Sequence, residues 1–249
     1  MKLKDKIAIV TGGARGIGKG ISEAMSKEGA KIIVVDRSER RGQEAVADLQ
    51  RTGDVLFRKV DVTNSSEILP LVEEICGKLG RIDILVNNAG IAHPEKFLEG
   101  EEQNWDRMIS VNLKGVILFT RAVLAGMVQR KYGKIINIAS VAAVIAYPGQ
   151  VVYSASKGGV IAFTRSIASE MAAHHVNVNA ICPGFTETPG TTRQRELLPD
   201  YFQKLEKSIP WGRSGRPEDV GRLAVFLASD DSEYMTGQCI VLDGGAAGV

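Results

Sequence analysis

Three residues of this chain could together move a proton at a carbonyl or carbinol carbon. They are Ser140, closing the apolar run KIINIAS, and Tyr153 and Lys157 in YSASK. A tyrosine and a lysine four residues apart share one face of a helix, and the run from Tyr153 through Ala172 has Ala, Ile and Phe at helical spacing and no proline. A free phenol has a pKa of about 10 and is a poor base at neutral pH. A nearby ammonium favours the phenolate, so Lys157 is expected to lower the Tyr153 pKa. YxxxK by itself recurs by chance on surface helices, so the reading needs a cofactor site elsewhere in the chain.

KIAIVTGGARGIG supplies one: a short apolar strand, then glycines 12, 13, 16 and 18, then a helical stretch that stops at Gly29. A glycine-rich strand-to-helix turn lets backbone N–H groups and the helix N-terminus approach a pyrophosphate. The GxxxGxG spacing of Gly12, Gly16 and Gly18, with Arg15 and Ile17 between them, matches the GxGxxG fingerprint only loosely. The next strand, KIIVVD, ends in Asp36, 18 residues after Gly18, where a carboxylate accepts hydrogen bonds from an adenosine ribose. Like-charge repulsion there disfavours a 2′-phosphate, which predicts NAD over NADP. Arg15 and Arg37 oppose that prediction, since a guanidinium at either place suits a phosphate.

TGGARGIG, Asp61-Val62, NNAG from Asn87 to Gly90, Asn112 in SVNLKG, Ser140, YSASK, PGFTET from Pro183 to Thr188 and TGQCIVLDGG, taken in order, resemble the short-chain dehydrogenase/reductase family. The likeness spans essentially the whole chain and includes the 13-residue step from Ser140 to Tyr153. It implies that Tyr153 is the acid/base while hydride moves to or from nicotinamide C4. Lys157 would tune the phenol and hold the nicotinamide ribose, and Ser140 would hydrogen-bond the substrate oxygen. Asn112 would help hold a water that links Lys157 to solvent. The resemblance further places Asp61 at the adenine amino group, Val62 against the ring, Asn88, Ala89 and Gly90 along the adenosine side, Pro183 and Gly184 at the nicotinamide end, and Thr188 at its carboxamide.

Each of these residues also has a plainer role open to it. Ser140 could cap its strand, Asn112 could satisfy backbone groups within a helix, Lys157 could be a solvated helix lysine, Asn88 could stabilise a turn, and Thr188 could be a helix N-cap.

The elements that must position the site read as strands IAIV, IIVV, VLFRKV, ILVN, IINIA and VNVNAI alternating with helical stretches, EILPLVEEICGKLG and 102–130 among them, before a closing helix and strand. This alternation predicts a doubly wound parallel α/β sheet, Rossmann-like and three-layered, with ligands at the strand carboxyl ends. One domain over residues 1–249 is expected, with a substrate lid at about 185–215 in which a helical piece lies between Pro189 and Pro210. Leu197, Leu198, Tyr201, Phe202, Leu205 and Trp211 would line a pocket or pack the lid onto its own domain.

A net charge of +2 with interspersed signs gives no footprint for nucleic acid or an anionic membrane, and no run of 18 apolar residues predicts a span. Cys76, Cys182 and Cys239 lie far apart, without metal-like spacing to the three histidines, which predicts reduced thiols, a cytoplasmic setting and no metal site. The resemblance implies a homotetramer or homodimer built through the last helix and strand. Three functions follow as expectations. The first is NAD(H)-dependent oxidoreduction of a secondary alcohol or ketone, such as a polyol, a hydroxy-acid derivative or a cyclic alcohol. The second is NADPH-dependent reduction of a 3-oxoacyl carrier protein, for which Arg130 and Lys131 offer part of a basic docking patch. The third is a dinucleotide-binding sensor without catalysis.

Overall fold

The computed structural model describes residues 1–197 and 199–248. Leu198, assigned above to the lid, and Val249 lie outside them. Seven strands form one parallel sheet in the order β3-β2-β1-β4-β5-β6-β7: β1 Ile7–Thr11, β2 Lys31–Asp36, β3 Val55–Lys59, β4 Ile84–Asn87, β5 Gly133–Ile138, β6 Val176–Pro183 and β7 Cys239–Leu242. The helices are α1 Gly16–Lys27, α2 Glu39–Leu49, α3 Ser65–Leu79, α4 Glu102–Ile109, α5 Gly115–Arg130, α6 Val151–Met171, α7 Pro189–Leu197, α8 Pro199–Lys207 and α9 Pro217–Ala228. This is the doubly wound α/β fold that the alternation predicts. Helices cover both faces, so inner strands such as β1 and β4 are buried throughout and read as unbroken apolar runs.

Apolar cores cover both faces of the sheet. On one side Val10, Ile32 and Val34 pack against Ile21 and Met25 of α1 and Val220 and Ala224 of α9. The helices α1 and α9 cross closely because Gly20 and Gly221 meet: a Cβ on Gly221 would stand 2.7 Å from the Gly20 carbonyl oxygen. On the other side Ile9, Ile33 and Leu85 pack against α3 and α5. The helical run Glu102–Arg130 has the length and apolar content of a membrane span. Its inward face, Phe119, Val123 and Met127, is part of this second core.

The run 102–130 is not one regular helix. Ser110–Lys114 forms a π-helical turn that joins α4 to α5 and swings buried Asn112 inward. The segment 185–215 holds two helices rather than one piece, because Pro199 restarts the chain as α8. Its ends meet: Thr186 bridges to Gly215, and Glu187 N donates to Gly215 O at 2.8 Å. Arg195 of α7 pairs with Glu206 of α8, whose carboxylate also accepts from Ser214 Oγ at 2.6 Å. Phe202 is buried against Phe185, whereas Leu197, Tyr201 and Trp211 are exposed. All three cysteines are free thiols, and burial raises the pKa of each.

Candidate active site

β1 and β4 lie side by side at the point where the strand order reverses, and a cleft opens beyond their carboxyl ends. The cleft has a volume of about 380 Å³. Its adenosine side is lined by Gly12, Arg15, Gly16, Ile17, Asp36, Arg37, Asp61, Val62, Asn88, Ala89 and Gly90. Its other end is lined by Ser140, Tyr153, Lys157, Pro183, Gly184 and Thr188. The fold thus brings together residues from seven separate stretches of sequence. Gly18 and Asn112 stand one layer behind the wall. Arg41, also in the lining and half-buried, was not legible from the sequence, since only the fold of α2 brings it to the cleft.

Gly12 turns the chain with φ +62, a conformation that glycine adopts without steric cost. Among the described residues the first turn of α1 then carries no side-chain cap and no acidic residue, so its N–H groups are open to an external acceptor. A Cβ on Gly18 would lie 2.3 Å from the Gly12 carbonyl oxygen and 2.4 Å from Asn88 Nδ2, inside the wall of the cradle. A bound pyrophosphate fits these features. Gly18→Ala is expected to weaken dinucleotide binding about tenfold and to destabilise the fold by roughly 2 kcal/mol, the usual cost of overpacking. Calorimetric titration and thermal unfolding check both effects, and unchanged affinity would show that the turn has slack.

Asn88 closes the cradle from β4. Its Nδ2 donates to the carbonyls of Thr11 (3.0 Å) and Gly12 (3.1 Å), and its backbone N donates to Thr11 Oγ1 (3.0 Å). Its plainer turn role is therefore present. Asp36 Oδ1 accepts from Ser38 N at 3.0 Å; among the described residues its other oxygen has no hydrogen-bond partner. Asp61 accepts from the N and Oγ1 of Thr63 (2.9 and 2.8 Å). Burial alone would raise its pKa, but the Thr63 bonds and the Arg37 and Arg107 charges outweigh burial and hold it low. Thr188 Oγ1 accepts from Thr191 N at 3.3 Å as the N-cap of α7, and its methyl group faces Gly16 across the cleft.

At the chemical end, Ser140 follows β5, and its hydroxyl oxygen accepts from Ala142 N at 3.1 Å, which leaves its own O–H free to donate. Tyr153 and Lys157 share the inner face of α6. Lys157 is buried and Nζ donates to the Ile138 carbonyl at 2.7 Å; burial pushes its pKa down to about 8. Gly90 leaves the ammonium uncovered, since a Cβ there would stand 3.4 Å from both Lys157 Nζ and Asn112 Oδ1.

The lowering of the Tyr153 pKa expected from Lys157 is not what the geometry gives. Burial of the phenol raises its pKa, with the Ser140 hydroxyl acting in the opposite direction. Lys157 is itself desolvated, and its Nζ donates to the Ile138 carbonyl. Tyr153 is therefore a protonated acid at neutral pH.

Asn112 makes its side-chain contacts within the protein. Its side chain clamps Ile91, accepting from Ile91 N (2.8 Å) and donating to Ile91 O (2.9 Å), and it donates to Ser156 Oγ (3.0 Å). The plainer backbone-satisfying role is thus realised, but across elements. Beneath the site a buried chain runs from Thr120 Oγ1 to Asn87 Nδ2 (3.1 Å), on to Asn137 Oδ1 (2.8 Å), and from Asn137 Nδ2 to Thr164 Oγ1 (2.9 Å). It locks α5 and α6 to the sheet and so fixes the height of Tyr153.

Known proteins resemble this chain in sequence and fold. The family described as enoyl-(acyl-carrier-protein) reductase matches residues 12–247. A 3-oxoacyl-[acyl-carrier-protein] reductase of Thermotoga maritima is 43% identical over 251 residues, covering 98% of this chain and 99% of the relative. The protein of the same name from Escherichia coli is 37% identical over 246 residues, covering 98% of each. Among solved structures, levodione reductase superposes with a TM-score of 0.93 at 30% identity over 99% of each chain. A putative gluconate dehydrogenase from Agrobacterium tumefaciens reaches 0.96 at 33% identity, over 100% of this chain and 98% of that one.

Proposed function

Because this chain belongs to the short-chain dehydrogenase/reductase family and is an oxidoreductase of it, we propose that it reduces the 3-oxo group of an acyl thioester to a 3-hydroxyl. Membership in that catalytic family sets aside the non-catalytic sensor. The full-length identity to 3-oxoacyl-[acyl-carrier-protein] reductases carries the proposal. When bound, the nicotinamide dinucleotide supplies the hydride. Tyr153 donates its phenolic proton to the substrate oxygen. Ser140 hydrogen-bonds the same oxygen and stabilises the charge that develops on it. Lys157 returns a proton toward the phenol and places positive charge under the site, and Asn112 holds Ile91 and Ser156 in register around it. The lid, residues 185–215, closes over the substrate and excludes water.

The test is a purified-enzyme assay with acetoacetyl-coenzyme A as a carrier-protein surrogate, following consumption of NADH or NADPH. Turnover is expected. Silence with the thioester, together with reduction of NAD by secondary alcohols, would transfer the site to the second reading. That reading is an NAD-dependent dehydrogenase of a polyol, a hydroxy-acid derivative or a cyclic alcohol, and Asp36 favours it.

For the cofactor we propose NAD(H), on the strength of Asp36, one of whose oxygens has no hydrogen-bond partner among the described residues and can accept from a ribose hydroxyl. Arg15, Arg37 and Arg41 line the same end of the cleft. Asp36→Ala is expected to move the NADP/NAD ratio of kcat/KM toward NADP by about tenfold or more, as one repulsive charge is removed with three guanidiniums near. Equal use of both cofactors by the unaltered protein would overturn the preference. The half-exposed edge strand β7 and the exposed Ile109 and Ile117 on the α4–α5 run support an assembly of two or four copies, which light scattering measures.

A further inference from the structure

Tyr153 stands in the first turn of α6, and the first turn is where a helix frays unless it is capped. Gln150 occupies the N-cap position without a side-chain hydrogen bond to the helix, and the loop before it contains Pro148 and Gly149. The turn therefore needs another anchor. Lys157 supplies one through Nζ and the Ile138 carbonyl at the end of β5. One point of attachment leaves the turn free to pivot about it.

A second point lies on the opposite flank. Ser156 is fully buried; its Oγ donates to the Tyr153 carbonyl at 2.7 Å and accepts from Asn112 Nδ2 at 3.0 Å. A serine hydroxyl has one proton, and this one is spent on the backbone of the acid itself. Asn112, also fully buried, uses its oxygen and its other N–H on the backbone of Ile91, which lines the cleft. The π turn reaches this close to α6 because Gly159, one turn beyond Ser156, has no side chain: a Cβ there would stand 2.8 Å from Leu113 Cδ2. A serine that only satisfied its own helix would need no such partner. The bond from Asn112 makes Ser156 the joint between the cleft wall at Ile91 and the backbone of Tyr153.

We infer that Ser156 is a positioning residue for the proton donor: together with Asn112 it fixes the Tyr153 turn against the cleft wall, so that the phenol meets the substrate oxygen beside Ser140. The inference rests on the proposed reaction only in taking Tyr153 as the group that exchanges the proton. Ser156 touches neither substrate nor cofactor and acts through the backbone of Tyr153.

The test measures kcat and KM with acetoacetyl-coenzyme A at saturating cofactor, beside calorimetric titration of ADP-ribose, which lacks the nicotinamide. Ser156→Ala is expected to lower kcat about tenfold, since a small misplacement of a reacting group is costly, while KM and the ADP-ribose Kd stay as they are. Ser156→Cys keeps the side chain in place with a weaker donor and acceptor, should fall between the two, and carries the comparison if the alanine variant does not fold. Adding Ser156→Ala to Asn112→Ala should lower kcat no further, because the two side chains form one joint. An unchanged kcat in folded Ser156→Ala and Ser156→Cys, losses that multiply in the double variant, or an ADP-ribose Kd that weakens in step with kcat overturns the inference.

If the unaltered enzyme reduces no thioester, the proposed reaction fails on its own, and the same variants are compared in the oxidation of a secondary alcohol with NAD, where Tyr153 takes the proton. An unchanged kcat there overturns the inference. Crystal structures of the parent and of Ser156→Ala need no turnover. The Tyr153 phenol should shift by about 0.5 Å or more relative to Ser140 Oγ, the tolerance within which a site must hold its groups, and an unmoved ring overturns the inference.

Discussion

Tyr153→Phe is expected to lower kcat by about 10³-fold while the cofactor Kd stays close to that of the unaltered enzyme, since loss of a positioned proton donor costs about 10²- to 10⁴-fold. The substitution removes only the phenolic O–H. The half-buried ring keeps its packing on α6, Ser140 keeps its bond from Ala142 N, and the glycine cradle lies at the other end of the cleft. Stability should rise slightly if it moves at all, because a desolvated polar group is replaced by an apolar one. Steady-state kinetics beside calorimetric titration of the cofactor separate the two effects. A variant that retains a near-normal rate would remove Tyr153 from the proton transfer.

The sheet was legible because its strands are buried on both faces. IAIV and IIVV have no polar side to alternate with, and the helices between them enforce the parallel order. The strand VLFRKV lies at the edge, where Phe57 and Arg58 are only half-buried, and its pattern is accordingly weaker. Tyr153 and Lys157 were legible for a different reason: spacing alone places i and i+4 on one helix face. The direction of the tyrosine's pKa was not, because it depends on burial and on the Ser140 hydroxyl beside it, and neither is encoded in the distance between Tyr153 and Lys157 along the chain.

Other parts of the site required the third dimension. The π turn around Asn112 inserts one residue into an otherwise regular helical run, a change that a periodicity of 3.6 does not register. Asn87 and Asn137 are polar residues within apolar strands. Only when β4 and β5 pair do they face each other and join the Thr120–Thr164 chain. Asn112 and Ser156 lie 44 residues apart on a π turn and a helix, with no shared period to link them. The sequence therefore exposes groups that act through their own element, and conceals those that act by joining two.

Lys157→Met is expected to lower kcat by about 10²-fold or more, because it removes the buried positive charge beneath the reacting group, and yet to leave the cofactor-free protein at least as stable at neutral pH. Burial depresses the lysine pKa from its ordinary 10.5 to about 8. Between those values the unfolded chain binds more protons than the folded one, so the unaltered protein gains stability as pH rises from 8 toward 10.5 and carries the full cost of the buried charge below 8. At about 1.4 kcal/mol per pKa unit that cost is roughly 3 kcal/mol. Methionine escapes it but leaves the Ile138 carbonyl without its donor, a loss of about 1–2 kcal/mol. The remainder favours the variant by about 1–2 kcal/mol, a rise in Tm of a few degrees for a chain of this length. Thermal unfolding of both proteins at neutral pH, and again between pH 8 and 10.5, should show the advantage of the variant shrinking as the medium becomes more basic. A variant less stable than the parent at neutral pH, with a difference that ignores pH, would mean that Lys157 is not held desolvated in the folded protein.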